Sequence, residues 1–153
     1  MLRITGCIIV MVSLLSLGCA SKPADPKEQI VSNMQVMQSA INDNVEDLDR
    51  KQNLLLLTKS LEQTLLEYNQ SFVDFAVEFG KLNRDYATPR EKLQELQASF
   101  RTVRASVINK VVDIHYQMVA QTTEAEWKKI VKKEIEALES VRQLPEDKLS
   151  EKS

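Results

Sequence analysis

Leu61, Leu65, Tyr68, Phe72, Phe75, Phe79, Leu82 and Tyr86 follow one another in alternating steps of four and three residues, without a gap. That spacing draws one continuous apolar stripe along a helix and is incompatible with the two-residue alternation of a half-buried strand. It is the seam of a heptad repeat. Comparable stripes run through Ile30, Met34, Met37, Ile41, Val45 and Leu48, through Leu93, Leu96, Phe100, Val103, Val107, Val111, Ile114 and Met118, and through Trp127, Val131, Ile135, Leu138 and Val141. Only Gly80 remains after residue 18, so the positive-φ turns that hairpin-rich β structure needs are scarce. The sequence predicts an all-α protein.

Start and stop signals divide the stripes. Asp25-Pro26-Lys27-Glu28 has the grammar of a capping box, with proline at the first helical position, where its missing N–H costs nothing. Thr88-Pro89-Arg90-Glu91 repeats it, and Thr123-Glu124-Ala125-Glu126 gives a version without proline. Leu144-Pro145 ends the last stripe. Expected helices lie near 26–50, 54–86, 89–121 and 124–143. The polar stretch from Asn42 to Asn53 either breaks the chain or is an exposed part of one long helix. The apolar runs Leu54-Leu55-Leu56-Leu57, Val107-Ile108 and Val111-Val112 call for neighbours on more than one side. An antiparallel three- or four-helix bundle meets that demand. Its rival is an elongated helical hairpin of 26–86 against 89–143.

The first residues carry a different message. Met1-Leu2-Arg3 is a short positive segment, and Ile4 to Leu17 is uncharged and mostly apolar. This stretch is shorter than the roughly 18–20 residues of a spanning helix and suits the apolar region of a signal peptide. Leu15-Ser16-Leu17-Gly18-Cys19 follows, with the polar Ser21-Lys22-Pro23 beyond it. This segment resembles the lipobox of bacterial lipoproteins, with Ser16 where leucine is commonest. The resemblance implies cleavage after residue 18, a diacylglycerol thioether on Cys19 and often an amide-linked acyl chain. Each buried methylene of such chains contributes about 0.8 kcal/mol, so more than one chain anchors stably. Ala20, in the position where aspartate retains lipoproteins in the inner membrane, implies the periplasmic face of the outer membrane, or the cell membrane where there is only one. The expected organisation is a signal peptide over 1–18, the lipidated cysteine and a short tether over 19–25, a helical domain over 26–144 and a disordered tail over 145–153.

Chemistry is sparse in the mature chain. Arg3 is the single charge before Cys19, so 19 basic and 22 acidic side chains remain, about −3 overall. Nucleic-acid binding needs a clustered basic surplus, which this balance does not supply. No cysteine follows Cys19, which excludes a disulfide, a zinc–thiolate site or a cysteine nucleophile in the body. His115 is the lone histidine, beside Asp113 and Tyr116, and is expected to be a hydrogen-bonded helix residue. Met34 and Met37 have soft thioethers suited to Cu(I), but both fall on the apolar stripe and are expected to pack in the core. Asp43, Glu46, Asp47 and Asp49 lack the glycine turn and alternating ligands of a calcium loop and are expected on a solvated face. Trp127 with Lys128, Lys129, Lys132 and Lys133 is the candidate contact patch, suited to anionic lipid, lipopolysaccharide or an acidic partner. No phosphate-cradling loop, nucleophile elbow or HExxH motif occurs. The expected protein is not an enzyme and calls for no cofactor. It is a membrane-anchored scaffold, accessory subunit or inhibitor acting on an envelope protein or on a second copy of itself.

One further segment carries a resemblance. Val112-Asp113-Ile114-His115-Tyr116-Gln117-Met118, followed by Thr122-Thr123-Glu124-Ala125-Glu126-Trp127, is similar to periplasmic helical stress chaperones and metal-resistance sensors. Their Leu-Thr-x-x-Gln turn corresponds to Thr122, Thr123 and Glu126 here. The resemblance implies the alternative function, binding of unfolded chains or metal.

Overall fold

The structure, a computed structural model, describes residues 25–141. The expected signal peptide, Cys19 with its tether, and the tail over 145–153 lie outside the described residues. The described residues form four helices: α1 Pro26–Asn44, α2 Leu48–Arg84, α3 Arg90–Ala120 and α4 Glu124–Ser140. They run alternately up and down as an all-α bundle. α1 packs against both α2 and α4, and α2 packs against α3. The backbones of α3 and α4 approach each other only sparsely, although a short turn joins them.

The break over 45–47 resolves the ambiguity after Asn42. Neither proline nor glycine makes it; hydrogen-bonding side chains do. The Asn44 Nδ2 donates to the Ala40 carbonyl at 2.7 Å, and the Asp47 Oδ1 accepts from the Arg50 N–H at 2.8 Å, capping α2. Leu48, which the spacing assigned to the first stripe, therefore begins a new helix and is 71% exposed. At the other end of α1 the Asp25 Oδ1 accepts from the Lys27 N–H at 2.9 Å, as expected. α3 starts one residue later than its signal suggested. Pro89 occupies the cap, because the Thr88 N–H is already donated to the Asp85 carbonyl in the preceding turn. Among the described residues the reciprocal capping box forms at Thr123 and Glu126.

α1 is the most completely buried helix. Ile30, Met34, Met37 and Ile41 are fully buried and Val45 nearly so. Both methionines thus pack in the core. They meet Leu54, Leu61 and Leu65 of α2, Ile114 and Met118 of α3, and Ile130 and Ala137 of α4. The inward face of α4 is Ile130, Glu134 and Ala137, continued by the cap residue Val141; of the expected stripe Trp127 and Leu138 pack at the edge of the core, and Ile135 is half exposed. α4 leans chiefly on α1, and that contact sets its rotation.

α2 and α3 outrun their neighbours. The Lys27 Nζ donates to the Gln70 Oε1 at 2.8 Å, which fixes the start of α1 level with Gln70. Beyond that level, among the described residues, α2 and α3 continue as a two-helix stalk. It is zipped by aromatic rings: Phe75 stacks on Phe100 at 4.3 Å, with Tyr68 and Phe72 each 6.0 Å from the same ring. The fold is therefore a four-helix bundle at one end and a hairpin at the other. The expectation that every wide apolar face finds several neighbours fails on α3. Ile108, Val112 and Tyr116 lie four residues apart and are 49%, 45% and 67% exposed, because the α4 backbone approaches this helix only sparsely.

Candidate functional site

The polar chemistry of the molecule gathers where α3 and α4 face each other. His115, half-way along the lower part of α3, directs its Nδ1 at both oxygens of Glu134, at 3.0 and 3.2 Å. With Glu134 as a carboxylate, which only accepts, the histidine Nδ1 is the donor of this contact. The Glu134 side chain is 2% exposed and the His115 ring 37%. Trp127 stands edge-on to the histidine at 5.1 Å and Tyr116 edge-on at 5.5 Å. The single histidine is thus a hydrogen-bonded helix residue, but its partner is Glu134 across the seam rather than the neighbouring Asp113. Sequence reasoning missed Glu134. The signal was there in retrospect: Trp127, Ile130, Glu134, Ala137 and Val141 form a regular three-four repeat with one acid inside it.

The seam continues above this pair as an apolar strip on α3, formed by Ile108, Val112 and the flank of Tyr116. Sparse backbone approach of α4 leaves that strip open to contact. The opposite flank of α3 meets α2 in a groove of about 380 Å³ lined by Ser60, Thr64, Glu67, Lys110, Asp113 and Gln117. Its charges are of both signs and solvated, which suits binding of polar surface better than acid–base chemistry. Among the described residues no three His, Cys, Asp or Glu side chains are grouped so as to hold a metal ion.

The lysine patch divides in the folded chain. Trp127 turns toward His115 and the core. Lys128 pairs with Glu124 at 2.6 Å, Lys133 pairs with Glu136 at 2.6 Å, and the Lys129 Nζ donates to the Asn44 Oδ1 at 2.7 Å. Lys132 is exposed. The tryptophan and the four ammonium groups are therefore not presented on one face.

At the base of the bundle Arg50, which no sequence pattern singles out, ties the two turns together. Its Nη1 donates to the Gln121 carbonyl at 2.9 Å and to the Glu126 Oε2 at 2.9 Å, and its Nη2 to the Glu126 Oε1 at 3.2 Å. The same carboxylate accepts from the Thr123 N–H at 2.7 Å. The Arg50 bonds first, and the Thr123 backbone bond second, hold the Glu126 carboxyl at about 2, against an ordinary 4.5. Folded protein therefore binds fewer protons than unfolded protein between those values. Stability from this contact is complete above pH ~4.5 and is lost as pH falls toward ~2. Glu126→Gln is expected to flatten the acid limb of a plot of urea midpoint against pH. An unchanged limb would mean that other carboxylates carry the acid sensitivity. The residues that resemble the chaperone and sensor turn, Thr123 and Glu126, are thus engaged in capping α4 and in holding Arg50.

No helix among the described residues is long and apolar enough to cross a membrane. No protein-family model matches the chain, nor does any characterised protein or solved structure.

Proposed function

We propose that the protein is a non-catalytic lipoprotein of the bacterial envelope, anchored through acyl chains on Cys19 and acting by protein–protein contact as a scaffold, accessory subunit or inhibitor. Its place in this reading is the periplasmic face of the outer membrane. The lipobox resemblance at Leu15–Cys19 supports the anchor. The observation that carries the contact function is the exposed strip Ile108, Val112 and Tyr116 on α3. Large apolar side chains aligned on one helix face, beside a seam that α4 does not close, offer the i, i+4, i+8 spacing by which helices recognise apolar partners.

Two measurements test the reading. Palmitate labelling is expected in the wild type and absent in Cys19→Ala, with the labelled protein in outer-membrane fractions. A photo-crosslinking residue placed at Tyr116 in living cells is expected to give a discrete adduct, and the same residue at Glu46, in the turn between α1 and α2 and off the apolar strip, is expected to give none. Absence of label overturns the anchor. Absence of an adduct at Tyr116 under several growth conditions overturns the contact surface.

A further inference from the structure

The stalk and the start of α1 lie toward the same end of the bundle. α1 begins level with Gln70 on α2, and α2 runs 14 residues further to Arg84. At 1.5 Å per residue the stalk therefore projects about 21 Å past the point where the tether joins the bundle. Residues 20–25, however they are arranged, bring Asp25 no more than roughly 22 Å from Cys19. α1 is 19 residues long, about 28 Å, so the opposite end of the bundle lies beyond that reach. A molecule anchored at Cys19 cannot stand with the turns at 45–47 and 121–123 toward the membrane. Standing the other way, it brings the stalk tip down to the layer where the anchor is inserted.

The tip has the composition of a membrane-interface contact. Tyr86 is fully exposed, the most exposed of the large apolar and aromatic side chains. It sits in a defined turn, where the Asp85 Oδ1 accepts from the Ala87 N–H at 2.9 Å and the Thr88 N–H donates to the Asp85 carbonyl at 3.0 Å. Lys81, Arg84, Arg90 and Lys92 lie within six residues of it and are all exposed, against the acids Asp85 and Glu91, and the Arg84 Nε donates to the Gly80 carbonyl at 3.0 Å. Lys81 also pairs loosely with Glu78 at 3.6 Å. A tyrosine among arginine and lysine side chains is the pattern favoured at lipid headgroups, where the ring lies at the boundary and the cations meet anionic lipid.

We propose that the tip of the α2–α3 stalk, Tyr86 with its neighbouring basic side chains, rests on the anionic headgroup layer of the membrane that holds the Cys19 anchor, and so holds the bundle upright. This rests on the anchor reading above. Once Cys19 is thioether-linked, the mature chain has no other cysteine, so a single introduced cysteine reports one site. Palmitate-labelled protein carrying Tyr86→Cys or Glu46→Cys, each bearing a polarity-sensitive dye, is reconstituted in vesicles of phosphatidylethanolamine and phosphatidylglycerol containing a nitroxide-labelled lipid. The dye at 86 is expected to shift to the blue and to be quenched several-fold more than the dye at 46, and Arg90→Glu with Lys92→Glu is expected to abolish the difference. Quenching at neither site in labelled protein overturns the tip contact and leaves the anchor standing, as does equal quenching at both, which would mean a molecule lying flat. Failure of the wild type to take up palmitate overturns the anchor and the tip contact with it.

Discussion

Leu61→Ala is expected to lower the unfolding free energy by about 3 kcal/mol, within the roughly 2–5 kcal/mol seen for large-to-small changes at buried leucines. Leu61 is fully buried on α2, in the cluster to which all four helices contribute, and no solvent-facing side chain can move in to fill the space. The loss combines the transfer energy of the removed methyl groups with the contacts forfeited around a hole that the surrounding helices cannot close. Phe79→Ala removes more atoms and is expected to cost less. Phe79 lies on the two-helix stalk and is 36% exposed, so water already reaches part of the ring and fills the space it leaves. Urea midpoints of the chain beginning at Ala20 compare the two. A larger loss for Phe79→Ala would mean that the stalk, and not the bundle, is the cooperative core.

That contrast between bundle and stalk also marks where sequence reading stops. The stripe of α1 was legible from Ile30 to Val45 and failed only at Leu48, because a short helix buried on one face by two neighbours shows its period cleanly. The stripe of α3 from Leu93 to Met118 was equally legible, yet the neighbours it lacks were not. Val107-Ile108 and Val111-Val112 look the same in sequence whether one flank is covered or two; only the sparse approach of α4 to α3 leaves Ile108 and Val112 partly in solvent. α4 misled in a different way. Spacing favours the most apolar positions, Val131 and Ile135, whereas packing on α1 turns Ile130 and Ala137 inward and takes Glu134 with them. An acid on a buried stripe reads as a surface residue until its partner is known, and that partner is 19 residues back in the chain. The same distance in sequence hid Arg50, whose guanidinium joins turns 71 and 76 residues away.

His115→Ala is expected to destabilise the protein by about 2 kcal/mol, chiefly through what it leaves behind. Both Glu134 oxygens lie on the histidine Nδ1, and Glu134 stands on the buried face of α4 between Ile130 and Ala137. Without the ring a buried acceptor loses its donor, which typically costs 1–3 kcal/mol, more for a charged group. The half-exposed seam admits some water and keeps the cost below the roughly 3–5 kcal/mol of a fully sealed broken pair. Trp127 also loses an edge contact at 5.1 Å. Glu134→Leu added to His115→Ala is expected to recover most of the loss, because the stranded carboxylate is gone and apolar volume takes its place. A double-mutant cycle on urea midpoints then gives a coupling of about 1–2 kcal/mol. Equal stability of the single and double variants would mean that water solvates Glu134 freely once the ring is removed. A positive coupling identifies the pair as a polar latch across the one seam where the α3 and α4 backbones stand apart. The latch sits at the lower edge of the apolar strip proposed to meet a partner, so a ligand that engages Tyr116 or Val112 would act directly on the contact that joins these two helices.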